Sequence, residues 1–382
     1  MSPNQDIPKT THLIELVGSK LREARKSLNL TQEGVASRLG IGRPRYSDIE
    51  NGKKAFSVDE LYKFSRLFNR PASYFLSNVE PEVEPFSVLF RAVQSDAETS
   101  TAVNHFQRLC SNLDFLKSVA ESERIKKEPP PDYEYQPSRY KYWARHYAEY
   151  ERRQLEVGQE PLKDLHDVLE EKRGLNIFRL PLRDEISGMF TYSEQYGGCV
   201  LINARNYSGR QLFSLAHEYG HFIFHKKKMG CVTYYEEARD RDEKFVNRFA
   251  EELLMPERLV LEIYETKFRY KQSLTTADVI YLADYFGVSF LAMAWRLRYL
   301  NVITEEILNK MRKETKETKV SQIRAAMGLT EAAKKHGKFP RLYRYLCVKA
   351  YMDKKITTSK FAELMEIPLY QAMEMAREMV AQ

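Results

Sequence analysis

Hydrophobic positions near the start of the chain follow the period of an α-helix. Four apolar residues are separated by three, four and three positions, namely Ile14, Val17, Leu21 and Ala24. This spacing predicts a helix with one apolar face. Shorter helices are predicted from Gln32 to Leu39, with Thr31 as the N-cap, and from Arg43 to Glu50. Gly40-Ile41-Gly42 is typical of a tight turn between them.

Two apolar runs of strand length lie near the middle of the chain, Leu175–Leu180 and Cys199–Asn203. Helical patterns flank them, near residues 139–157, from Pro161 to Gly174, and from Gly209 onward. We therefore expect a mostly α fold with a small β-sheet. It would comprise an all-α N-terminal domain, a central α+β domain and a helical C-terminal region.

Changes in composition and proline content divide the chain into four segments. The N-terminal helical domain is predicted over residues 13–77 and the α+β domain over residues 139–300. Between them, residues 78–138 are predicted to be a linker with helical and Pro-rich segments, because Pro129-Pro130-Pro131 cannot continue a helix. Residues 301–382 are the predicted helical C-terminal region.

The composition is that of an ordinary globular protein, since 43% of the 382 residues are apolar and 30% are charged. No stretch approaches the roughly 18 apolar residues of a membrane span, and the first residues lack the layout of a signal peptide. The four cysteines include no Cys-x-x-Cys pair, so neither a disulfide framework nor a cysteine-based zinc finger is expected. We expect a cytoplasmic protein with no membrane partner.

The net charge of +7 is unevenly distributed. Residues 1–80 hold 13 basic and 9 acidic side chains, and residues 301–382 hold 16 basic and 10 acidic ones. The basic N-terminal segment becomes informative only if it also carries a nucleic-acid-binding pattern.

Such a pattern is present. Leu30-Thr31-Gln32 through Leu39-Gly40-Ile41, followed by Ile49-Glu50-Asn51-Gly52-Lys53, resembles the Xre or lambda-repressor type of helix-turn-helix. Small residues at Ala36 and Gly40 allow the close helix crossing that places a recognition helix in the major groove. The chain departs from that family at Gly42 and Pro44, where Ser or Thr is usual, which affects base preference more than the fold.

The resemblance implies that double-stranded operator DNA is a partner. Gln32 would contact a phosphate, and Lys53 and Lys54 would bind backbone phosphates. Arg43, Arg45 and Ser47 would face base edges or the backbone. A small helical domain used only for dimerisation is the alternative.

A second motif lies in Gln211–His225. His217 and His221 are four residues apart, so on a helix their imidazoles project from one side and can share a metal. Glu218 can hold a metal-bound water and act as its general base. Two helix histidines with ordinary hydrogen bonds are the alternative.

A third ligand is expected downstream, because a catalytic zinc takes three protein ligands and keeps one position open. Glu243 lies 22 residues after His221, which leaves room for a loop and a returning antiparallel helix. Glu243, Asn247 and Ala250 share one face of that helix.

The second motif resembles the ImmA/IrrE metallopeptidases, whose pattern is His-Glu-x-x-His followed by Glu-x-x-Ala-Asn-x-Phe-Ala-x-x-Leu-Leu-Met-Pro. Val246 replaces the usual Ala. The resemblance implies a zincin-like α+β domain in which His217, His221 and Glu243 bind Zn²⁺ and Glu218 is the base. A third zinc histidine in a different clan would stand at position 227, which is Lys. His225 is interpreted as structural.

Two further hypotheses concern one residue and one strand segment near this motif. Cys231, expected in a loop between the two metal-bearing helices, would occupy the open zinc position and hold the enzyme latent; a small buried apolar residue is the alternative. Cys199–Asn203 is the candidate edge strand for pairing with an extended substrate, with a buried core strand as the alternative.

The C-terminal segment Lys355–Pro368 has the pattern of a helix-turn-helix without recognition residues, and packing is its expected role. Several methionines there suit a partner or a homodimer, or a plain core: Met352, Met365, Met373, Met375 and Met379.

The two motifs together predict a DNA-binding regulator with a zinc endopeptidase. The family resemblance implies that the substrate is a helix-turn-helix repressor, cleaved in a stress or phage response. The alternative is a repressor or antitoxin whose metallopeptidase-like domain is a sensor or partner-binding module without proteolysis.

Overall fold

The computed structural model describes residues 7–27, 30–68, 72–76, 85–93, 97–120, 133–226, 230–234, 241–317, 320–329 and 336–380. The chain forms two compact units, residues 1–84 and 85–382. The predicted fold class is confirmed, because the described residues are mostly helical with one small sheet. Pro129–Pro131 and Lys227, on which two of the predictions rest, lie outside the described residues.

The first unit is entirely helical in its described part. Its helices are α1 (Ile7–Ser27), α2 (Gln32–Leu39), α3 (Arg43–Glu50), α4 (Val58–Phe68) and α5 (Ala72–Leu76). The bounds predicted for α2 and α3 are confirmed. Thr31 caps α2 by accepting a hydrogen bond from the Gly34 amide, and Gly40 ends it with a φ of 67°, which favours glycine.

Helix α1 packs against the end of α3 at Gly18. A Cβ on this residue would lie 2.7 Å from the Glu50 carbonyl oxygen, so a larger residue would separate the two helices. Beneath this contact the buried core includes Val17, Val35 and Ile49. The close approach therefore sets the position of the second helix of the predicted DNA-binding motif.

The second unit contains the remaining elements. Its strands are β1 (Asn176–Leu180), β2 (Ile186–Ser193), β3 (Gly197–Asn203) and β4 (Gly230–Tyr234). Its first helices are α6 (Pro85–Ala92), α7 (Ala97–Val119), α8 (Tyr140–Gln154), α9 (Leu165–Val168), α10 (Ser208–Phe224) and α11 (Arg241–Leu254). The later ones are α12 (Glu257–Phe268), α13 (Thr276–Phe286), α14 (Phe290–Tyr299), α15 (Glu305–Glu317), α16 (Val320–Ala326), α17 (Arg341–Met352), α18 (Thr358–Met365) and α19 (Leu369–Val380). A 3₁₀ turn at Pro137–Arg139 precedes α8, and a π-helical turn at Leu169–Arg173 follows α9.

The four strands form a mixed sheet in the order β1-β3-β2-β4, with β1 parallel to β3 and the other pairs antiparallel. The prediction that Cys199–Asn203 is an edge strand is therefore wrong. This segment is β3, and it is hydrogen bonded on both sides because β2, which the apolar pattern did not predict, returns beside it. The edges are β1 and β4.

Both faces of the sheet are buried, and the strand residues alternate between them. In β3, Val200 and Ile202 face the core that contains α10 and α11, whereas Cys199 and Leu201 face the core on the other side. The continuous apolar run of this strand follows from burial on both faces.

Helices α6 and α7, which lie in the segment predicted as a linker, belong to the second of these cores. Phe86 packs there against Phe106, which packs against Phe178 of β1. The C-terminal helices α17 and α18 reach the same core through Tyr343 and Phe361. Residues far apart in the chain thus support one face of the sheet.

Within the described part of the chain, no single helix is long and apolar enough to span a membrane. The helices α13 and α14 meet the length and composition criteria only as a pair, and they are bent by 103° relative to each other.

Candidate metal centre

Helix α10 holds both histidines of the predicted metal site on one side. His217 and His221 lie one turn apart, and their Nε2 atoms are 2.9 Å from each other. Both side chains are buried, as is Glu218. The helix is anchored to the sheet by apolar residues of the core: Leu215, Ala216, Tyr219, Phe222 and Ile223.

Helix α11 brings the carboxylate of Glu243 to the two histidines. Glu243 Oε2 is 3.1 Å from His217 Nε2, and its Oε1 is 3.2 Å from His221 Nε2. One ligand atom from each residue lies within 4.8 Å of the others. The two helices can approach this closely because residue 220 is glycine; a Cβ there would lie 2.6 Å from Val246 Cγ1.

The other ring nitrogen of each histidine is also engaged. His217 Nδ1 is 2.8 Å from Asn247 Oδ1, and His221 Nδ1 is 3.1 Å from His225 Nδ1. His225 Nε2 in turn lies 3.7 Å from a carboxylate oxygen of Asp242. These contacts orient both rings toward Glu243. His225 therefore has a supporting position.

Glu218 lies under strand β2 and has no solvent exposure. Its Oε1 atom has no hydrogen-bond partner among the described residues. A Cβ at Gly188 would lie 2.9 Å from this oxygen, so the glycine leaves the room that the carboxylate occupies. Burial raises the pKa of Glu218 to about 7. The carboxyl group can therefore take up and release a proton near neutral pH.

The charges of the cluster formed by His217, His221 and Glu243 favour the binding of a cation. Burial opposes ionisation of Glu243, but hydrogen bonds from His217 and His221 outweigh it and hold the pKa of Glu243 below its usual range. Burial likewise opposes protonation of His217, yet the contact with Glu243 outweighs it and raises the pKa of His217. A cation that binds here would displace protons from the imidazoles.

The chemistry of these side chains fits zinc. Two imidazole nitrogens and one carboxylate form the His₂Glu set of catalytic zinc sites, and the partnerless Glu218 oxygen leaves an acceptor beside them. A small cavity of about 190 Å³ opens next to the cluster. It is lined by Phe190, His221, His225, Gly230, Cys231, Asp242 and Glu243.

Cys231 lies in this cavity, but on a strand. The prediction that it belongs to a loop is wrong, because residues 230–234 pair with β2 and form the edge strand β4, in which Cys231 is opposite Phe190. Its Sγ is 3.8 Å from Glu218 Oε2. Burial raises the pKa of the Cys231 thiol well above its usual range.

In the first unit, several predicted DNA-contacting residues are engaged in contacts within the chain. Arg45 forms a bidentate ion pair with Glu60, with distances of 2.6 and 2.8 Å. Gln32 Nε2 donates to Glu50, and Ser47 Oγ accepts from the side chain of Asn51. These contacts hold the side chains in defined positions before any ligand binds.

The remaining predicted DNA contacts are exposed. Arg43 lies 3.8 Å from Glu33, with both side chains mostly in solvent. Lys54 pairs with Asp48 at 3.0 Å, and its side chain is 58% exposed. Lys53 is also exposed. The first residue of α3 and the turn after the helix thus present basic side chains to solvent.

Comparison with known proteins assigns both parts of the chain. The helix-turn-helix family model matches residues 21–75, and that of the IrrE N-terminal-like domain, a peptidase M78 family, matches residues 170–298. An uncharacterized transcriptional regulator in the ATPase CF(0) region of Rhodospirillum rubrum is 31% identical over 78 residues, which are 20% of this chain and 72% of that protein. The chain belongs to the helix-turn-helix transcriptional regulators. Its second unit carries an ImmA/IrrE-like, metallopeptidase-like domain.

Two further proteins are similar to this regulator over short segments. Control protein C.MunI of Mycoplasma sp is 38% identical over 66 residues, which cover 17% of the regulator and 89% of the relative. An uncharacterized HTH-type transcriptional regulator of Archaeoglobus fulgidus is 37% identical over 51 residues, 13% of the regulator and 72% of the relative. The resemblances inferred from the two motifs are confirmed.

Sequence reasoning did not assign a role to three residues around the candidate metal centre. Asn247 orients His217, Gly188 makes room for Glu218, and Tyr135 donates a hydrogen bond of 2.6 Å to Asp242. The position of Asn247, four residues after Glu243, was a usable signal. Gly188 and Tyr135 come from distant segments whose approach depends on the tertiary fold.

Proposed function

We propose that the regulator binds operator DNA through its first unit and hydrolyses a peptide bond through a zinc ion held by His217, His221 and Glu243. The observation that supports the peptidase is the convergence of these three side chains within 4.8 Å beside a buried carboxyl group. A structural role for two helix histidines does not account for a carboxylate delivered to both rings from a different helix.

For the DNA-binding part, α3 is the recognition helix and the exposed basic side chains around it contact the duplex. Arg43 faces base edges or the backbone, and Lys53 and Lys54 neutralise phosphates. The ion pair with Glu60 holds the Arg45 guanidinium in place for a contact. A homodimer in the cytoplasm would read two half-sites, as helix-turn-helix proteins commonly do.

For the peptidase part, His217, His221 and Glu243 would hold a zinc ion, which would supply Lewis acidity and make water a competent nucleophile near neutral pH. Glu218 takes the proton of the attacking water and passes it to the leaving amine. Asn247 and His225 keep the two imidazoles oriented toward the metal. Strand β4, the edge strand beside the small cavity, pairs only with β2 in the described part of the chain, and its other edge offers a pairing site to an extended substrate.

We infer that the substrate is a helix-turn-helix repressor cleaved in a stress or phage response. The support for this assignment is the likeness to the ImmA/IrrE metallopeptidases together with the fusion to a helix-turn-helix domain.

Peptide-library cleavage tests the peptidase. The full chain loaded with zinc is incubated with a library of peptides from a digested proteome, and new termini are identified by mass spectrometry. We expect cleavage by the wild type and a loss of at least about 10³-fold with Glu218→Gln, which removes the proton acceptor. Zinc content should be equal in both proteins.

The same variant distinguishes a peptidase from a sensor module. If no peptide is cleaved, and if Glu218→Gln binds a selected operator and represses a reporter as the wild type does under all conditions, the second unit acts without proteolysis.

A further inference from the structure

A large cavity lies at the N-terminal end of α10, away from the metal centre. Its volume is about 1310 Å³, which exceeds the roughly 300–1,000 Å³ of typical small-molecule pockets. None of the three proposed zinc ligands lines it. Along α10, Ser208 and His217 are nine positions apart, about 13 Å, although Leu215 also lines the cavity. The cavity and the metal centre are thus separate sites on one helix.

The lining of the cavity is basic. Five of the lining residues are Lys or Arg, and two are Asp. Arg324 is paired with Asp284, and Lys338 with Glu366. The other three basic residues, Lys163, Arg179 and Arg312, have no carboxylate within 4.0 Å in the part of the chain that the structure describes.

Arg179 is the decisive residue, because it is a buried cation with no carboxylate within 4.0 Å among the described residues; Glu170 and Asp167 act on it only from a greater distance. It is 7% exposed. Its Nε donates to Gln211 at 3.1 Å and its Nη1 to His166 at 3.0 Å. No described residue accepts a hydrogen bond from its Nη2. A buried guanidinium normally has an anion beside it, since desolvating an unpaired charge is costly.

Two more features of the lining suit an anion. Tyr207, the N-cap of the 17-residue helix α10, provides no side-chain cap, and no side chain of the described residues accepts a hydrogen bond from the Ser208 or Gly209 amide, both of which line the cavity. Asn206, 9% exposed, also lines the cavity, and its Nδ2 donor has no partner among the described residues. Donors therefore exceed acceptors at this end of the cavity.

A second metal ion is a poorer explanation of the same region. His166, Asp167 and His336 could form a cation site by distance alone. However, the Arg179 guanidinium is 3.0 Å from His166 Nδ1, and Arg341 Nη1 is 3.7 Å from Asp167 Oδ1. Two guanidinium groups at these distances disfavour a further cation, even though Glu170 Oε1 lies 3.2 Å from His166 Nε2.

We propose that this cavity binds a phosphate-bearing small molecule of nucleotide size. The phosphates contact Nη2 of Arg179 and the start of α10, where a charge-assisted hydrogen bond and backbone amides complement their oxygens. The organic part lies on the apolar side of the cavity, against Leu212, Leu215 and Phe290. This site is independent of the proposed peptidase.

Binding is measured by isothermal titration calorimetry on the full chain, with sodium triphosphate, ATP, GTP and adenosine as probes. We expect ATP or GTP to bind more tightly than triphosphate, and adenosine alone to bind weakly. Lys163→Gln combined with Arg312→Gln, both exposed positions, should weaken nucleotide binding by about tenfold or more. The charge-matched control, Arg258→Gln with Lys310→Gln, lies outside the cavity and should bind as the wild type does.

Two further variants distinguish nucleotide binding in this cavity from binding at the candidate metal centre. His217→Ala should bind the nucleotide as well as the wild type, which excludes chelation of a bound metal by the phosphates. Arg179→Gln should lose binding while its circular dichroism spectrum stays that of the wild type. The proposal is overturned if no phosphate probe binds at about 1 mM. Equal weakening by the control pair, or binding of adenosine as tight as ATP, also overturns it.

Discussion

Asn247 Oδ1 lies 2.8 Å from His217 Nδ1, while the opposite nitrogen of the same ring faces Glu243 at 3.1 Å. The amide oxygen can only accept, so it fixes the Nδ1–H tautomer and leaves Nε2 as the nitrogen that offers its lone pair. Helix α11 therefore contributes both a proposed ligand and the group that orients another ligand.

Replacing Asn247 tests this relationship. Asn247→Ala removes the acceptor, and we expect zinc affinity to fall by about 10- to 100-fold. The measurement is competition with a fluorescent zinc chelator. Asn309→Ala, an exposed asparagine on α15, is the control and should leave the affinity unchanged. Equal affinity of Asn247→Ala and the wild type would show that the contact has no role in metal binding.

The ligand set itself is tested by metal content. One zinc per chain is expected for the wild type, and sharply reduced zinc for His217→Ala and for Glu243→Ala, since each removes one of three proposed ligands. Plasma mass spectrometry of the purified chains provides the measurement. Full retention of zinc in both variants would contradict the assignment.

Local features of this site could be predicted from the sequence, and distant ones could not. The convergence of His217 and His221 follows from the helical period, because residues four apart share a face. Glu243 could be placed only by allowing a returning helix and by the family resemblance. Cys231 was expected in a loop because β4 is short and acquires its strand conformation from pairing with β2.

In the rest of the molecule, too, local features could be predicted from the sequence and long-range contacts could not. Helices α2 and α3 have local caps and turns, so their bounds could be predicted to the residue. The position of α7 could not, since its buried face meets β1 and the C-terminal helices, which are separated from it by long stretches of chain. The ion pair of Arg45 with Glu60 likewise depends on the fold.

Duplex binding should depend on salt and on the basic side chains after α3. Lys53→Ala should weaken binding to a selected operator and lower the slope of log K against log salt by about one, because one phosphate contact is lost. Fluorescence anisotropy over a range of salt concentrations measures both. Lys63→Ala on α4 removes the same charge and serves as the control. If Lys53→Ala and Lys63→Ala bind the operator with the same affinity and the same salt slope, Lys53 does not contact a phosphate.

The ion pair of Arg25 with Glu50 should make the stability of the first unit depend on pH. Burial opposes ionisation of Glu50, but hydrogen bonds from Arg25 and Gln32 outweigh it and hold the pKa of Glu50 below its usual value. Its contribution is therefore complete above the ordinary carboxyl pKa and is lost as the pH falls through the lower, folded-state value. Calorimetry of the full chain should show this loss on the acid side only.

Mutation of the same pair separates charge from packing. Arg25→Met leaves the buried Glu50 carboxylate without its main partner and should destabilise the first unit by about 3 kcal/mol. The double variant Arg25→Met/Glu50→Met removes both charges and should recover most of that loss. Hydrogen exchange of α2 and α3 in the full chain reports the difference. A double variant no more stable than the single one would contradict the prediction.

The last prediction concerns latency. Cys231 lies on the edge strand beside the metal centre, with its Sγ 3.8 Å from Glu218 Oε2. Although burial favours the protonated thiol, a thiol that coordinates zinc loses its proton and becomes a strong ligand. Rotation of this side chain toward the proposed metal would therefore fill the open position and exclude the attacking water. Cys231→Ala should then cleave library peptides faster than the wild type, at equal zinc content. Cys347→Ala, a buried cysteine in the other core, controls for a general effect of removing a thiol. An unchanged rate in Cys231→Ala would leave Cys231 as a small, partly buried apolar residue of the cavity wall.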